Sequence, residues 1–436
     1  MSDATPMALP FAEALAAVLQ QARGRVTPTV ELPIEQALGH ALAEGVVSHM
    51  ALPPWDNAGM DGYAVQRAEV MGASITSPRA LPVIGTSMAG ADPTALPWVQ
   101  KGTALRIMTG APMPPGADTV IRVEDTDGGA DTVRVTSDRD ATGRGNVRPR
   151  GEDIAAGREL FARGTSIRAS HVGALASIGL SSIPVHRAPR VTIVSSGDEL
   201  VLLDRFHEVE AGRRIVSSSS YALPALLRSA GADVTMAPLV PDTLEALTEA
   251  MGEALDGGCD LLVTTGGVSV GAHDYTRDAL AALGGTQRFW RARIRPGGPI
   301  GTGTVRDVPW LGLPGNPVST MVTASLFAWP LIRQLGGHGT VAPLRVPVRM
   351  LDAADTPAPL TYFLRVSLAV DGDGQLVARL SGAQGSNLLR TMAMADALLE
   401  VPDEVNRVEP GSMMHAILLP DAPPLVAAPF SLQTPA

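Results

Sequence analysis

Residues Leu261-Leu262-Val263-Thr264-Thr265-Gly266-Gly267-Val268-Ser269-Val270-Gly271 open as an apolar run and close as a glycine loop. The run has the pattern of a strand buried on both faces of a parallel sheet. The loop holds three glycines and three hydroxyls, and a helical pattern over 275–283 follows it. In an open α/β sheet, ligands sit outside the carboxyl ends of the strands. Glycines there let backbone N–H groups approach an anion, and the next helix N-terminus favours negative charge. The loop lacks the lysine of a P-loop and the spacing of a dinucleotide fingerprint. Two readings stay open from these residues alone: a phosphate or oxyanion loop of another kind, or an ordinary glycine-rich turn.

The pattern continues on both sides. Strands over 191–194, 234–236 and 261–263 alternate with helices over 221–229 and 243–255, which implies a parallel sheet in a three-layer α/β domain. The first strand runs into Ser195-Ser196-Gly197-Asp198-Glu199-Leu200, and Asp242 and Asp274 follow the next two junctions. Aspartate is a common helix cap. That accounts for Asp242 and Asp274 singly, and less readily for Glu199. Further on, Arg291, Arg293 and Arg295 occupy alternate positions, which on one strand puts them on one face. Trp310-Leu311-Gly312-Leu313-Pro314-Gly315-Asn316-Pro317-Val318-Ser319 then leads into a helix over 319–335.

Before this domain, residues 10–46 read as helical: Phe11, Leu15, Val18 and Leu19 share a stripe, and residues 33–42 repeat it weakly. Pro53-Pro54-Trp55-Asp56-Asn57-Ala58-Gly59-Met60-Asp61-Gly62-Tyr63-Ala64 is a constrained polar loop. Such a loop either caps its own turns or reaches a ligand. Residues 64–145 alternate as a small β domain. Within it, Arg106-Ile107-Met108-Thr109-Gly110-Ala111-Pro112 places a hydroxyl and a backbone N–H at a strand end. Asn146-Val147-Arg148-Pro149-Arg150-Gly151-Glu152-Asp153-Ile154 mixes arginines with carboxylates. A short helix is expected over 170–178. After Gly336-Gly337-His338-Gly339, strands over 344–350, 362–368, 377–380 and 413–418 suggest a small C-terminal β-barrel.

Composition bounds the function. At 436 residues the chain needs several domains. With 34 basic and 44 acidic residues it carries −10, so its overall field does not favour nucleic acid. A single cysteine, Cys259, excludes intrachain disulfides and is read as a packing residue. No apolar run of transmembrane length occurs, and residues 1–10 lack the form of a signal peptide, so no membrane association and a cytoplasmic setting are expected.

These motifs resemble the MoeA family, and the glycine loop resembles the molybdopterin-binding fold that MoeA shares with MogA and gephyrin. The likeness runs from about residue 10 to 420. It includes Asp61-Gly62-Tyr63-Ala64, Arg106 to Asp118, Val147 to Ile154, Ser195 to Leu200, and Gly312 to Ser319. The chain departs from the family at three places. Ala58-Gly59 replaces Ser-Ala. Arg291, Arg295 and Gly298 stand where the family has lysines, and Ser217 to Ser220 fill the region of a family asparagine.

The resemblance implies an α/β multidomain fold. It comprises an elongated discontinuous domain (8–50 and 147–187), an inserted β domain (51–146), a MogA-like α/β domain (188–337) and a C-terminal β-barrel (338–422). It implies a molybdopterin molybdenumtransferase that inserts molybdenum from molybdate into adenylylated molybdopterin and releases AMP. Carboxylates would repel such a polyanion unless a divalent cation lies between, and Mg²⁺ suits carboxylates plus phosphate oxygens. Asp61, Glu199, Asp242 and Asp274 are therefore expected to hold Mg²⁺ and, with Thr109, to form the catalytic set. Asp153, Gly266, Gly267, Ser269, Gly271, Arg291, Arg295, Pro314, Asn316 and Pro317 are expected to bind substrate. Arginine keeps the charge of lysine but cannot serve as a neutral amine, so no lysine proton donor is available at 291 or 295. The family also implies a homodimer with a shared active site. Further expected partners are a molybdopterin adenylyltransferase and a molybdoenzyme. The alternative is a non-catalytic carrier paralogue for molybdopterin or its cofactor. The sequence does not separate molybdate from tungstate.

Overall fold

The structure, a computed structural model, describes residues 8–267, 275–357 and 359–421. Helix Phe11–Gln20 is the only part of 10–46 that is helical. Ala14 and Val18 bury completely, and Phe11 stacks edge-on with Phe327 at 5.6 Å and Phe363 at 4.8 Å. The expected second helical stretch, 33–42, is instead a run of turns that follows strand Thr29–Pro33. Its β-branched Thr29 and Val30 pair in an antiparallel ladder with Ser182–His186, and Pro33 closes it. Ala37 and Leu42 bury in a small core with Ile167 and Leu175 without forming a helix, which explains the weak apolar repeat.

Two further short ladders join Val46–Val47 to Glu159–Phe161 and Asn57–Ala58 to Val147–Arg148. The three ladders nest, so the chain runs out along one side and returns along the other. Between the arms lies a five-stranded sheet: Thr119–Arg122, Gly62–Val65, Ala104–Ile107, Arg79–Ser87 and Thr132–Val135, in spatial order. Tyr63, Ile121 and Val133 lie in its core.

The α/β unit has six strands in the order Asp233–Met236, Arg190–Ser195, Leu261–Thr265, Val308–Leu313, Pro299–Val305 and Thr286–Arg291. The first four are parallel. The last two run antiparallel to their neighbours, so the sheet is mixed rather than wholly parallel as expected. Side chains of the central strand alternate between layers. Leu261 and Val263 pack with Leu223, Leu227 and Val318, whereas Leu262 packs with Met251, Leu280 and Trp310. The expected helix over 319–335 is Pro317–Thr323 and Trp329–Leu335, joined by a π-helical turn Ala324–Ala328. Pro330 offers no N–H and crowds the preceding turn, and the wider π turn accommodates it. Cys259 is buried, and burial pushes its thiol up to about 11, as suits a packing residue.

The C-terminal barrel closes through Thr361–Val370, Leu376–Leu380, Arg345–Met350, Met413–Leu418 and Ala397–Val401, the last pairing back to the first. Strand Ala397–Val401 escaped the sequence reading because Ala, Leu and Glu favour helices; its two ladder partners override that preference. Among the described residues no helix is long and apolar enough to cross a membrane.

Candidate functional site

Strands Arg190–Ser195, Leu261–Thr265 and Val308–Leu313 end side by side, and their following loops enclose a cleft of about 420 Å³. Glu199, Asp242, Gly266, Gly267, Pro314, Asn316 and Pro317 all line it. A buried hydrogen bond of 2.6 Å between the Ser195 and Thr265 hydroxyls ties the first two strand ends together. Gly266 has φ +87°, and its N–H donates to the Leu313 carbonyl at 3.2 Å. A Cβ there would stand 2.9 Å from the Ser196 carbonyl oxygen, so glycine is required by both conformation and space. On the other side, a Cβ at Gly315 would lie 3.5 Å from Gly266 Cα. The three loops therefore meet backbone to backbone. Thr320 Oγ1 donates to the Pro314 carbonyl at 2.6 Å and fixes the third loop.

Asp242 is held by a reciprocal pair. The Asp198 N–H donates to its carboxylate, and its own N–H donates to the Asp198 carboxylate, each at 3.2 Å. Among the described residues, Glu199 and Asp242 are the only acidic or basic side chains lining the cleft. Ser196, Ser217, Ser218 and Ser219 add hydroxyls. The sequence reading left these serines out of the site. Their signal was present, since Ser217 to Ser220 fill the place of a family asparagine.

Other expected residues lie elsewhere. Thr109 donates to Asp61 Oδ1 from its N–H at 2.7 Å and from its hydroxyl at 2.6 Å. These two bonds, helped by Arg106, hold the Asp61 carboxyl below the usual carboxylate range. The polar loop thus caps its own turn, one of the two readings its composition allowed. Neither Asp61 nor Thr109 lines the cleft. Asp153 is exposed on the returning arm, where its N–H donates to the Leu52 carbonyl at 3.0 Å. Ser269, Gly271 and Asp274 lie outside the described residues. Among the described residues no three His, Cys, Asp or Glu side chains group as a metal site, and of the expected acids that are described the cleft gathers Glu199 and Asp242 but not Asp61.

The arginine stripe is divided. Arg291 ends its strand and is exposed, Arg293 pairs with Asp403 at 3.4 Å, and Ile294–Arg295 pairs with the barrel strand at Thr361 and Tyr362. Burial still alternates, with Ala292 and Ile294 inside. The strand nevertheless breaks because this segment serves two sheets. Arg295 lies 5.8 Å over the Tyr362 ring and lines a second cleft of about 450 Å³ with Gln384 and Gly385. Under that loop Arg365 is fully buried. It donates to the Ala383 and Gly385 carbonyls and to Thr391 Oγ1, one guanidinium nitrogen has no partner, and burial lowers its pKa. The sequence signal for Arg365 was a lone charge inside an apolar strand.

Residues 9–179 match the family model of the MoeA N-terminal region (domain I and II). Residues 192–334 match a probable molybdopterin binding domain, and 347–419 the MoeA C-terminal region (domain IV). A Mycobacterium tuberculosis (strain ATCC 25618 / H37Rv) protein named molybdopterin molybdenumtransferase 2 is 35% identical over 400 residues, covering 90% of this chain and 95% of that protein. A molybdopterin molybdenumtransferase of Nostoc sp. is 35% identical over 390 residues, covering 88% and 87%. The crystal structure of the molybdopterin biosynthesis moeA protein from Pyrococcus horikoshii OT3 superposes with a TM-score of 0.79 at 25% identity, covering 94% of this chain and all of that one. With its whole architecture matched, from the nested ladders to the closed barrel, this chain belongs to the MoeA family.

Proposed function

We propose that this chain is a molybdopterin molybdenumtransferase, which inserts molybdenum from molybdate into adenylylated molybdopterin and releases AMP. The observation that carries the reading is the cleft at the carboxyl ends of the parallel strands. There, backbone, hydroxyls and two carboxylates converge in a chain that matches relatives of that name along most of its length.

The Gly266–Gly267 turn carries no side chains and leaves room for a pyrophosphate, and the serine hydroxyls suit its oxygens. Asn316 makes no side-chain cap bond to its own helix, so its amide is free to orient substrate. Glu199 and Asp242 fit Mg²⁺, which takes one or two carboxylates and completes its shell with phosphate oxygens and water. They would hold it with the help of Asp198, which fixes Asp242. When bound, the ion supplies neutralisation of the pyrophosphate and of the departing AMP. Arg291 and Arg295 are the cations we assign to anion binding, molybdate included. Glu199 and Asp242 also argue against the carrier reading, because a carrier has no leaving group to neutralise.

We further propose a homodimer, in a cytoplasmic setting, whose second copy brings Asp61 and Thr109 to the cleft. A fully active monomer would refute the dimer. The deciding experiment mixes the protein with adenylylated molybdopterin, Mg²⁺ and low molybdate and measures AMP. Molybdate-dependent release is expected. Tight binding of the pterin without release would overturn the transferase reading.

A further inference from the structure

A third cavity, of about 340 Å³, lies where the nested arms meet the α/β unit, and it shares no lining residue with the cleft. His40, Arg168 and His186 reach it from the arms, and Arg228, Arg333 and His338 from the α/β side. Among the described residues no carboxylate lines it. Arg187 also borders it but is neutralised by a two-pronged bond to Asp260 at 2.6 and 2.8 Å. The other three arginines pair with no acid among the described residues. On a chain of net charge −10, this is a built pocket of uncompensated positive charge.

Its polar groups are also incompletely used. Arg333 is half-buried and donates to Ser166 Oγ at 2.8 Å and to the Thr340 carbonyl at 3.1 Å. Ser166 Oγ lies 2.7 Å from His338 Nδ1. With the hydroxyl accepting from Arg333 and donating to Nδ1, the neutral ring carries its proton on Nε2, which faces Gly231 on the cavity wall. His186 is 6% exposed; its Nδ1 donates to the Thr27 carbonyl at 2.9 Å, while its buried Nε2 has no partner. His40 Nδ1 is likewise buried and unpartnered. Burial, then Arg333 and the neighbouring histidines, push the His338 imidazole down to about 3. Arg333, half-buried with no acid beside it, gains most from an anion, and the exposed Arg168 and Arg228 add positive charge to the same lining.

We propose that this cavity binds a tetrahedral oxygen dianion, a phosphate, with Arg168, Arg228 and Arg333 as its cations and the His338 Nε2–H as an added donor. Guanidinium forks match phosphate oxygens, and donors from several elements favour a tetrahedral group over a planar carboxylate. The cavity can hold more than the bare ion, so the phosphate is either free or the terminal group of a small ester. Binding there would bridge the arms and the α/β unit.

The test titrates the full chain with inorganic phosphate and with phenyl phosphate at constant ionic strength, using calorimetry. The comparison is the double variant Arg168→Gln/Arg228→Gln. Both side chains are exposed and neither lies in the catalytic cleft, so fold and phosphate-free AMP release should be unchanged. Phosphate can also enter the cleft, so the reading rests on the difference between the two proteins. The expected result is a phosphate site in the wild type that weakens about tenfold or more in the variant. Tighter binding of phenyl phosphate than of phosphate would assign the pocket to an ester, and equal binding to the free ion. Equal affinity in wild type and variant, or no binding by the wild type, would overturn the proposal.

Discussion

Gly266→Ala probes the backbone contact on which the cleft is built. Two costs follow from the structure. An alanine at φ +87° sits in left-handed territory, at about 1–2 kcal/mol. Its Cβ would also stand 2.9 Å from the Ser196 carbonyl oxygen, which is backbone and cannot rotate aside, so overpacking adds about 1–3 kcal/mol. Gly212→Ala separates the two costs. Gly212 has φ +69° in the same α/β unit, with nothing within 4 Å of a built Cβ, so it carries the first cost alone. The entropic effect of alanine on the unfolded chain cancels between the variants. Urea unfolding, followed by the near-ultraviolet dichroism of the stacked Trp290–Trp310 pair, reports this unit. Gly266→Ala should unfold about 1–3 kcal/mol below Gly212→Ala, and its AMP release should fall while that of Gly212→Ala holds. Matching midpoints and full turnover in Gly266→Ala would show that the close approach of the loops is dispensable.

Glu199→Gln and Asp242→Asn should each lower Mg²⁺-dependent AMP release by roughly 10²–10³-fold, the scale of one lost transition-state contact, and leave the melting curve in place. Unchanged turnover would remove them from the site. Thr109→Val deletes the 2.6 Å hydroxyl bond to Asp61, so the Asp61 carboxyl should rise toward its ordinary value, as followed by carbon NMR titration. Asp260→Asn breaks the pair with Arg187 and should cost about 1.5–3 kcal/mol at neutral pH. Burial alone would raise the Asp260 carboxyl, but Arg187 and the Arg190 N–H outweigh it and hold the group below 3.8. A carboxyl lowered by folding stabilises above its unfolded value, and that contribution fades as pH falls through the folded one. The stability gap between wild type and Asp260→Asn should therefore be full at pH 7 and shrink below about pH 4; a gap constant down to pH 3 would contradict the assignment.

The α/β unit was legible because its strands are apolar runs bounded by glycine, proline and aspartate, and those boundaries are also where the cleft forms. Leu261–Thr265 and its neighbours on the parallel side needed no tertiary information. The mixed edge did, because Thr286–Arg291 and Pro299–Val305 read as strands of either direction until their hairpin is seen. Thr29–Pro33 was hidden for a related reason: its partner Ser182–His186 lies far along the chain, so no local pattern announces the pairing. Ala397–Val401 shows the converse, a helix-favouring composition drawn into a strand by two long-range ladders.

The candidate site was only partly legible, and the missing part has a physical cause. Sequence motifs name residues by type, whereas a site is a matter of which loop faces which. Asp61, Glu199 and Asp242 are equally prominent in the sequence, yet Asp61 spends its carboxylate on Thr109 in the inserted sheet's loop, away from the other two. Two bonds at 2.7 and 2.6 Å leave Asp61 Oδ1 committed and Oδ2 available to something arriving from outside the loop. A second copy of the chain is such an arrival, and it makes the roles separable. If Asp61 acts across a dimer, mixing Asp61→Asn with Glu199→Gln should restore activity, because one of the two composite clefts in the mixed dimer regains both native carboxylates. With statistical mixing, half the dimers are mixed and each carries one intact cleft, so activity should recover to about a quarter of wild type. No recovery after subunit exchange would place Asp61 outside the catalytic cleft and leave its bond to Thr109 as a turn cap.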